Sequence, residues 1–213
     1  MNREQVFEFF RRLAEENPSP TTELEYENPY TLLVAVVLSA QATDASVNIA
    51  TRPLFAHIKT PEQMVVFGED RLRDAIKTIG LFNTKAKNVI ALSQALIDQH
   101  QSRVPRTREE LEALPGVGRK TANVVLGNAF GKDEGFVVDT HVGRLSIRLG
   151  FTRQVDPVKV EQELNALVPK GRRTLGAHLL IAHGRSICIA RRPRCEVCPV
   201  NPLCPKIGVK LVP

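Results

Sequence analysis

All four cysteines of this chain lie in one short segment near its C-terminus, from Cys188 to Cys204. Their spacing is C-x6-C-x2-C-x5-C, with Cys195 and Cys198 as the central pair. A chain that concentrates its thiols in one loop is expected to fold that loop around a metal, and four thiolates suit both iron–sulfur clusters and zinc. Structural zinc sites usually pair two short knuckles, but only the central pair here has knuckle spacing. The wider outer gaps favour an iron–sulfur cluster, with zinc as the alternative.

The N-terminus bears on the redox compartment. Met1–Arg11 carries charges from Arg3 and Glu4 onward and lacks the apolar segment of a secretion signal. Disulfides belong mainly to secreted proteins, which makes disulfides or free thiols the weaker interpretation of the cysteines. The longest apolar run, Leu32–Leu38, is too short to span a membrane. We therefore expect a cytoplasmic protein.

The positive charge of the chain is concentrated beside the cysteines. The net charge is +6, yet residues 1–170 are almost neutral and residues 171–213 contain one acid, Glu196. A basic end of this kind suits a polyanion partner, although solvated charges or charges that stabilise thiolates would give the same pattern. The basic residues of this segment are Arg172, Arg173, Arg185, Arg191, Arg192, Arg194, Lys206 and Lys210.

Aromatic residues are scarce, at 5 % of the chain with no tryptophan. Proteins that bind single strands stack successive bases on aromatic side chains. Among nucleic acids, duplex DNA is therefore the partner that this composition favours.

Helix signals dominate the sequence. Polar side chains that can cap a helix precede apolar segments, in several cases with proline in the first turn. Caps are predicted at Asn2, Asn28, Asp44, Thr60, Thr107 and Asp156, and Gly80 is predicted to end a helix after Ile79. Long helices are predicted over Asn83–His100, Arg119–Phe130 and Thr174–Ile187. Only Gly135–Val138 suggests an extended segment, and it has no partner. The chain is predicted to be all-α, with roughly ten helices and short connections.

The segment Leu114-Pro115-Gly116-Val117-Gly118 lies between two helical segments. Proline ends the first helix, and the glycines allow a tight turn with exposed backbone. Amides at the start of the next helix carry positive partial charge, to which Arg119 and Lys120 add full charges. This pattern predicts a helix-hairpin-helix that binds a DNA phosphate, and a plain corner between two helices is the alternative.

Two residues are candidates for chemistry. Lys120, at the start of this helix, is either a phosphate contact or an amine nucleophile that forms a Schiff base. Asp139, in Val137-Val138-Asp139-Thr140-His141, is its natural acidic partner and can also cap the helix that follows. His141 and His183 are interpreted as structural, because neither has a partner at metal-ligand spacing.

Three motifs together carry a family resemblance. Leu114–Asn123 (LPGVGRKTAN), Val138–His141 (VDTH) and the cysteine loop closely resemble, in order and separation, the endonuclease III family of bifunctional helix-hairpin-helix DNA glycosylases. The resemblance covers nearly the whole chain. It implies a six-helix domain over residues 23–133 and a discontinuous helical domain of residues 1–22 and 134–213. The second domain would hold a [4Fe–4S] cluster, and an active-site cleft would lie between the two.

The resemblance also implies roles for particular residues. Lys120 would be the nucleophile and Asp139 the essential acid. Gln41 and Leu81 would fill the gap left by a flipped nucleotide. The alternative interpretations are a polar loop residue for Gln41 and a core residue for Leu81. The amides of Gly116, Val117 and Gly118, with Arg119, would bind phosphate; Arg191, Arg192 and Arg194 would face DNA; and Cys188, Cys195, Cys198 and Cys204 would ligate the cluster.

The implied activity is the removal of oxidised pyrimidines from duplex DNA by a monomeric bacterial enzyme associated with the nucleoid. Lys120 would attack C1′ of a flipped nucleotide as the base departs, and β-elimination would then cleave the strand 3′ to the site. The alternatives are a mismatch-specific monofunctional glycosylase and a non-catalytic duplex-binding iron–sulfur protein. The pairing of an amine with a carboxylate argues against the binder, which needs neither group.

Overall fold

The computed structural model of the protein describes residues 1–209, so Lys210 of the basic C-terminal segment lies outside the described residues. Those residues form eleven α-helices and two short 3-10 helices, without a β-strand, which confirms the all-α prediction. None of their helices is both long and apolar enough to cross a membrane. The α-helices are α1 (Arg3–Glu16), α2 (Pro29–Leu38), α3 (Asp44–Phe55), α4 (Pro61–Phe67), α5 (Glu69–Ala75), α6 (Phe82–His100), α7 (Arg108–Glu112), α8 (Arg119–Phe130), α9 (Thr140–Arg148), α10 (Pro157–Leu167) and α11 (Arg173–Ser186). The 3-10 helices are Cys195–Val197 and Asn201–Leu203.

Five of the six predicted helix caps are confirmed, each with a side-chain oxygen that accepts a backbone N–H of the first turn. The prediction at Asp44 is wrong by one residue. Thr43 caps α3 by accepting a hydrogen bond from the Ser46 amide at 3.2 Å, and Asp44 is the first helical residue. A carboxylate in the first turn still interacts favourably with the positive end of the helix.

The predicted helix stop at Gly80 is also wrong. Helix α5 already ends at Ala75, and Ile79 lies in a turn in which its amide donates to the carbonyl of Ile76 at 2.8 Å. Ile79 is nevertheless buried, so its burial comes from tertiary packing of the turn. Gly80 and Leu81 then lead directly into α6.

The chain divides into two compact units. We call Thr22–Lys132 the hairpin unit, and Met1–Thr21 together with Asp133–Pro213 the cysteine unit. The core of the hairpin unit is built on α2, which is buried from Tyr30 to Leu38 and packs against α8, α3 and α6. A helix that is apolar on all sides must lie inside its domain.

The core of the cysteine unit is aromatic. Phe9 and Phe10 of α1 contact Phe151, and Phe10 also lies beside Phe136. Helix α11 packs against both α1 and α9. This packing favours glycine at Gly176 on α11, because a Cβ at that position would lie 3.1 Å from the ring of Phe136, closer than an ordinary van der Waals contact.

The start of α11 is held by a carboxylate that is distant in sequence. Oδ2 of Asp133 accepts from the amides of Gly171 and Arg173 at 2.6 and 2.9 Å, and Oδ1 accepts from the Thr174 amide and hydroxyl at 2.7 and 2.8 Å. Arg172, the residue before α11, makes no side-chain cap. Asp133 therefore supplies the cap that the local sequence lacks.

Candidate active site and metal centre

The predicted hairpin is present in the hairpin unit. Helix α7 ends before the turn of residues 114–118, and α8 begins at Arg119. Gly116 has φ +77°, and a Cβ there would lie 2.9 Å from both Cβ and Nδ2 of Asn88. This position therefore requires glycine for its backbone conformation and for its close approach to α6.

The residues of the turn differ in what they expose. Val117 is buried, and its amide donates to the carbonyl of Leu114 at 3.1 Å, so it helps to close the turn. Gly116 and Gly118 are exposed. Gly118 stands at the N-cap of α8 without a side-chain cap, and nothing lies within 4 Å of a Cβ built on it. The exposed start of α8 is thus suited to an anion that binds backbone amides.

Lys120 is the second residue of α8, and its side chain is exposed. The buried face of the same helix consists of Ala122, Asn123, Val125 and Leu126, which fix α8 against the core. The amine thus extends from a rigid helix, one turn from the exposed glycines. Such a position suits either a phosphate contact or a nucleophile.

Gln41 and Leu81 occupy two neighbouring turns of the hairpin unit, which we call the wedge turns. Both residues have left-handed backbones, with φ of 53° and 61°. A Cβ built on Gly80 would lie 4.0 Å from the carbonyl oxygen of Gln41, so the turns are adjacent. Leu81 is 58 % exposed, which excludes the core position considered for it from the sequence. Two bulky residues held in a costly conformation at one exposed spot indicate a functional site.

Asp139 lies in the cysteine unit, at the N-cap of α9. Its Oδ1 accepts from the Val142 amide at 2.8 Å, and its carbonyl accepts from the Gly143 amide at 2.9 Å. The predicted capping role is confirmed, and it fixes the orientation of the carboxylate.

The opposite end of α9 is bonded to the cysteine loop. Arg148 donates to the carbonyls of Ile189 and Ala190, both at 2.8 Å, and to Sγ of Cys188 at 3.4 Å. Arg144, one turn earlier, donates to the Cys188 carbonyl at 3.0 Å. Burial and the nearby charge of Arg148 lower the pKa of Arg144, and they outweigh Cys188 and Asp139, which favour its charged form.

The four cysteine side chains line one recess in the cysteine unit. Burial, together with repulsion of a thiolate there by the other three thiols, raises the pKa of Cys198 to about 11. Burial likewise raises the pKa of Cys204, whose Sγ accepts from the Lys206 amide at 3.4 Å. Thiols crowded in this way need a metal cation to hold them as thiolates.

The donor set fits an iron–sulfur cluster. Four thiols share the recess, and N–H groups of Arg148 and Lys206 point at two of the sulfurs, where they would stabilise thiolate charge. Within residues 1–209, no group of three or more His, Cys, Asp or Glu side chains is placed to hold a single metal ion. Four thiolates are the usual ligand set of a [4Fe–4S] cluster, so the residues of the recess fit that cofactor.

Comparisons with known proteins agree with this geometry. Residues 34–170 match the HhH-GPD superfamily of base excision DNA repair proteins, and residues 188–204 match the iron–sulfur binding domain of endonuclease III. Endonuclease III of Haemophilus influenzae is 52 % identical over 204 residues, which cover 96 % of each chain. The chain belongs to the endonuclease III family.

Solved structures extend the comparison. A trapped covalent intermediate of endonuclease III with DNA is similar with a TM-score of 0.91 and 43 % identity, over 97 % of each chain. A thermostable thymine-DNA glycosylase is also similar, with a TM-score of 0.85 and 25 % identity, over 96 % of this chain and 97 % of that one. The predicted family, activity class and iron–sulfur cofactor are thereby confirmed.

The sequence alone did not identify every residue that lies beside the cysteine recess of this endonuclease III family member. His183, predicted to be structural, is buried with Nε2 3.5 Å from Sγ of Cys198, and burial lowers its pKa to about 4. Arg144 and Arg148 were missed, although their position on α9 directly after VDTH could have drawn attention to them. Arg191, Arg192 and Arg194 are exposed on the loop.

The basic residues of the C-terminal segment are not all exposed. Arg173 is turned inward and donates to the carbonyls of Asn165 and Val168 at 3.0 and 3.2 Å. These hydrogen bonds therefore connect the start of α11 to the end of α10. The arginines of the cysteine loop remain available to a polyanion.

Proposed function

We propose that this protein is a bifunctional DNA glycosylase and abasic-site lyase that removes oxidised pyrimidines from duplex DNA. The observation that carries the proposal is the exposed Lys120, two residues beyond the uncapped Gly118 of a helix-hairpin-helix. The similarity to a covalent endonuclease III–DNA intermediate supports it, since a lysine amine can form such a bond.

Lys120 is the nucleophile in this mechanism. A base inside a duplex is out of reach, so the damaged nucleotide first leaves the helical stack. The neutral amine of Lys120 attacks C1′ as the bond from C1′ to the base breaks, and the departing base takes up a proton. The second amine proton passes to O4′ as the bond from C1′ to O4′ breaks, so the opened sugar is joined to Nζ through an imine at C1′.

Strand cleavage follows from the imine, because it acidifies the hydrogens at C2′. Removal of one of them expels the phosphate from C3′, which breaks the strand 3′ to the lesion. Asp139 takes part by accepting the amine proton and stabilising positive charge on the sugar. The hydrogen bond from Val142 to Asp139 keeps this carboxylate oriented for that role.

The DNA contacts are assigned in the same way. Gly116, Gly118 and Arg119 bind a backbone phosphate, mainly through the exposed amides at the start of α8. Val117, whose amide was expected to bind the phosphate as well, is buried and donates that amide to Leu114, so it shapes the turn instead. Gln41 and Leu81 enter the space that the flipped nucleotide leaves. Both are exposed, and their strained turns are adjacent.

The cysteine loop supplies a second DNA-binding surface. Cys188, Cys195, Cys198 and Cys204 would hold a [4Fe–4S] cluster, which when bound supplies a structural centre rather than a hydrolytic one. Arg191, Arg192 and Arg194 on that loop contact phosphates. We further propose that the protein acts as a monomer in the bacterial cytoplasm, where it associates with the nucleoid by binding DNA.

The test is borohydride trapping on a duplex with one abasic site. Wild type and the control Lys77→Gln, which removes an exposed lysine of the same unit, should give a covalent protein–DNA band. Lys120→Gln should bind the duplex but give no band. A band of normal intensity from Lys120→Gln would refute the nucleophile assignment.

Base release then separates the alternatives. Release of an oxidised pyrimidine, with trapping, supports the bifunctional enzyme. Release of thymine from a G·T mismatch without trapping would replace it with a monofunctional glycosylase, a candidate that the similarity to a thymine-DNA glycosylase keeps in view. Duplex binding without either activity would leave only a binding protein.

A further inference from the structure

Helix α6 begins in an unusual way. Its N-cap is Leu81, which has a left-handed backbone and makes no side-chain cap, and no acid lies in the first turn. The helix has 19 residues, so its first-turn amides, which no N-cap side chain accepts, carry a full helix-end partial charge. Positive potential at this end is therefore not offset by a side chain of the first turn.

A lysine adds to that potential. Lys85 is only 4 % exposed, and among residues 1–209 its buried Nζ has no hydrogen-bond partner. Burial lowers the pKa of this amine, which reflects the cost of removing an ammonium from water. An unpaired buried cation lowers stability, so its presence calls for a partner that arrives from outside.

The direction of the side chain follows from helix geometry. Side chains of a helix lean towards its N-terminus, over the preceding turn. For Lys85 that turn begins at Leu81, whose carbonyl accepts the Lys85 amide at 3.0 Å. Helix geometry therefore directs the Lys85 side chain towards the N-terminal end of α6, where Leu81 of the wedge turns lies.

The site lies between two elements assigned to DNA. On its N-terminal side are Leu81 and, across Gly80, the carbonyl of Gln41. One turn to its C-terminal side, Asn88 contacts the hairpin at Gly116. An anion at Lys85 would therefore be bound between the wedge turns and the phosphate-binding hairpin.

We propose that Lys85 and the first-turn amides of α6 form a second anion site, which takes a backbone phosphate of the duplex beside the wedge turns. The inference rests on the proposed DNA-repair function. In the DNA-free protein the amine is covered, and the site opens as the strained wedge turns move onto the duplex. The phosphate then gives the ammonium its missing partner in a poorly solvated place, where a charge-assisted hydrogen bond is strong.

The experiment compares Lys85→Met with Lys87→Met, which removes an exposed lysine two residues away on the same helix. The probe is a fluorescent duplex with a tetrahydrofuran abasic analogue, titrated by anisotropy at several salt concentrations. We expect Lys85→Met to bind about tenfold more weakly and to reduce the slope of log affinity against log salt by about one. Lys87→Met should change affinity by less than about threefold.

Thermal unfolding of the DNA-free proteins provides the second measurement. Because the lysine lacks a partner, Lys85→Met should raise the unfolding midpoint by about 2–4 °C, and Lys87→Met should leave it unchanged. Weaker binding by a more stable protein is a combination that a merely structural lysine does not produce.

Two results would overturn the inference. Equal affinity and salt slope in both variants would remove the phosphate contact, and a lower midpoint or misfolding of Lys85→Met would assign Lys85 to holding the fold. If wild type itself fails to bind the duplex, the proposed function fails first. If wild type and both variants bind the tetrahydrofuran duplex alike, and trap alike on a duplex with a true abasic site, only the anion site is lost.

Discussion

Replacement of Gly116 by alanine tests the hairpin through its geometry. An alanine at φ +77° costs about 1–2 kcal/mol for a left-handed backbone. Its Cβ would also stand 2.9 Å from Cβ and Nδ2 of Asn88, an overlap that costs about 1–3 kcal/mol to relieve inside a packed structure. We expect Gly116→Ala to lower the free energy of unfolding by about 2–5 kcal/mol.

Gly118 provides the matched control two residues away. Its φ of −101° is open to any residue, and nothing lies within 4 Å of a Cβ built on it. Gly118→Ala should therefore change the free energy of unfolding by less than about 0.5 kcal/mol. Its Cβ would nevertheless project at the start of α8, so DNA binding should weaken although the fold does not.

The assay is urea denaturation followed by circular dichroism, with a double-mutant cycle through Asn88→Gly. Without the Asn88 side chain, Gly116→Ala should cost only the backbone share, about 1–2 kcal/mol. The cycle subtracts the separate cost of a glycine inside α6. Equal stability of Gly116→Ala and wild type, or an unchanged cost in the Asn88→Gly background, would refute the steric argument.

Three further predictions concern other parts of the chain. Asp133→Ala should lower the free energy of unfolding by about 2–4 kcal/mol in urea denaturation, because it leaves three amides at the start of α11 without their carboxylate. The control Glu134→Ala breaks only a surface ion pair and should lower it by under about 0.5 kcal/mol. Equal costs would contradict the capping role of Asp133. Arg148→Ala should lower the iron content and visible absorption of purified protein relative to the exposed control Arg153→Ala, because it releases the cysteine loop from α9. Full iron content in Arg148→Ala would show that the cluster does not depend on these bonds. Leu81→Asn should change the free energy of unfolding by less than about 0.5 kcal/mol, because asparagine tolerates a left-handed backbone. Its affinity for abasic duplex should fall about tenfold. Undiminished affinity would show that Leu81 is not a wedge residue.

Local signals gave most of the helices, and their errors are instructive. Thr43 and Asp44 are both good capping residues, so the sequence alone does not show which of them caps α3. In the folded chain Thr43 is the cap and Asp44 is the first helical residue. Gly80 has the residue type of a helix stop, yet α5 ends earlier, at Ala75. Residues 76–81 form a turn that packs Ile79 into the core, and such packing depends on residues distant in sequence.

The candidate site was predictable where its residues carry their chemistry locally. The four cysteines, Lys120 after the hairpin glycines and Asp139 before α9 are each marked by residue type and spacing. Arg148 was not predictable, because an arginine in a helix reveals its partners only after the helix and the cysteine loop have been folded together. The same holds for Asp133, whose bonds join residues about 40 positions apart.

The sequence by itself determined the all-α class, the hairpin, the thiol loop and the family, since these depend on short-range capping, turn chemistry and ligand spacing. The tertiary structure decided which positions are strained, buried or bonded. It placed Gly116 against Asn88, exposed Leu81 in a left-handed turn and buried Lys85 without a partner. The reason is physical: capping and turn preferences act within a few residues, whereas burial and close packing arise only when distant segments exclude water together.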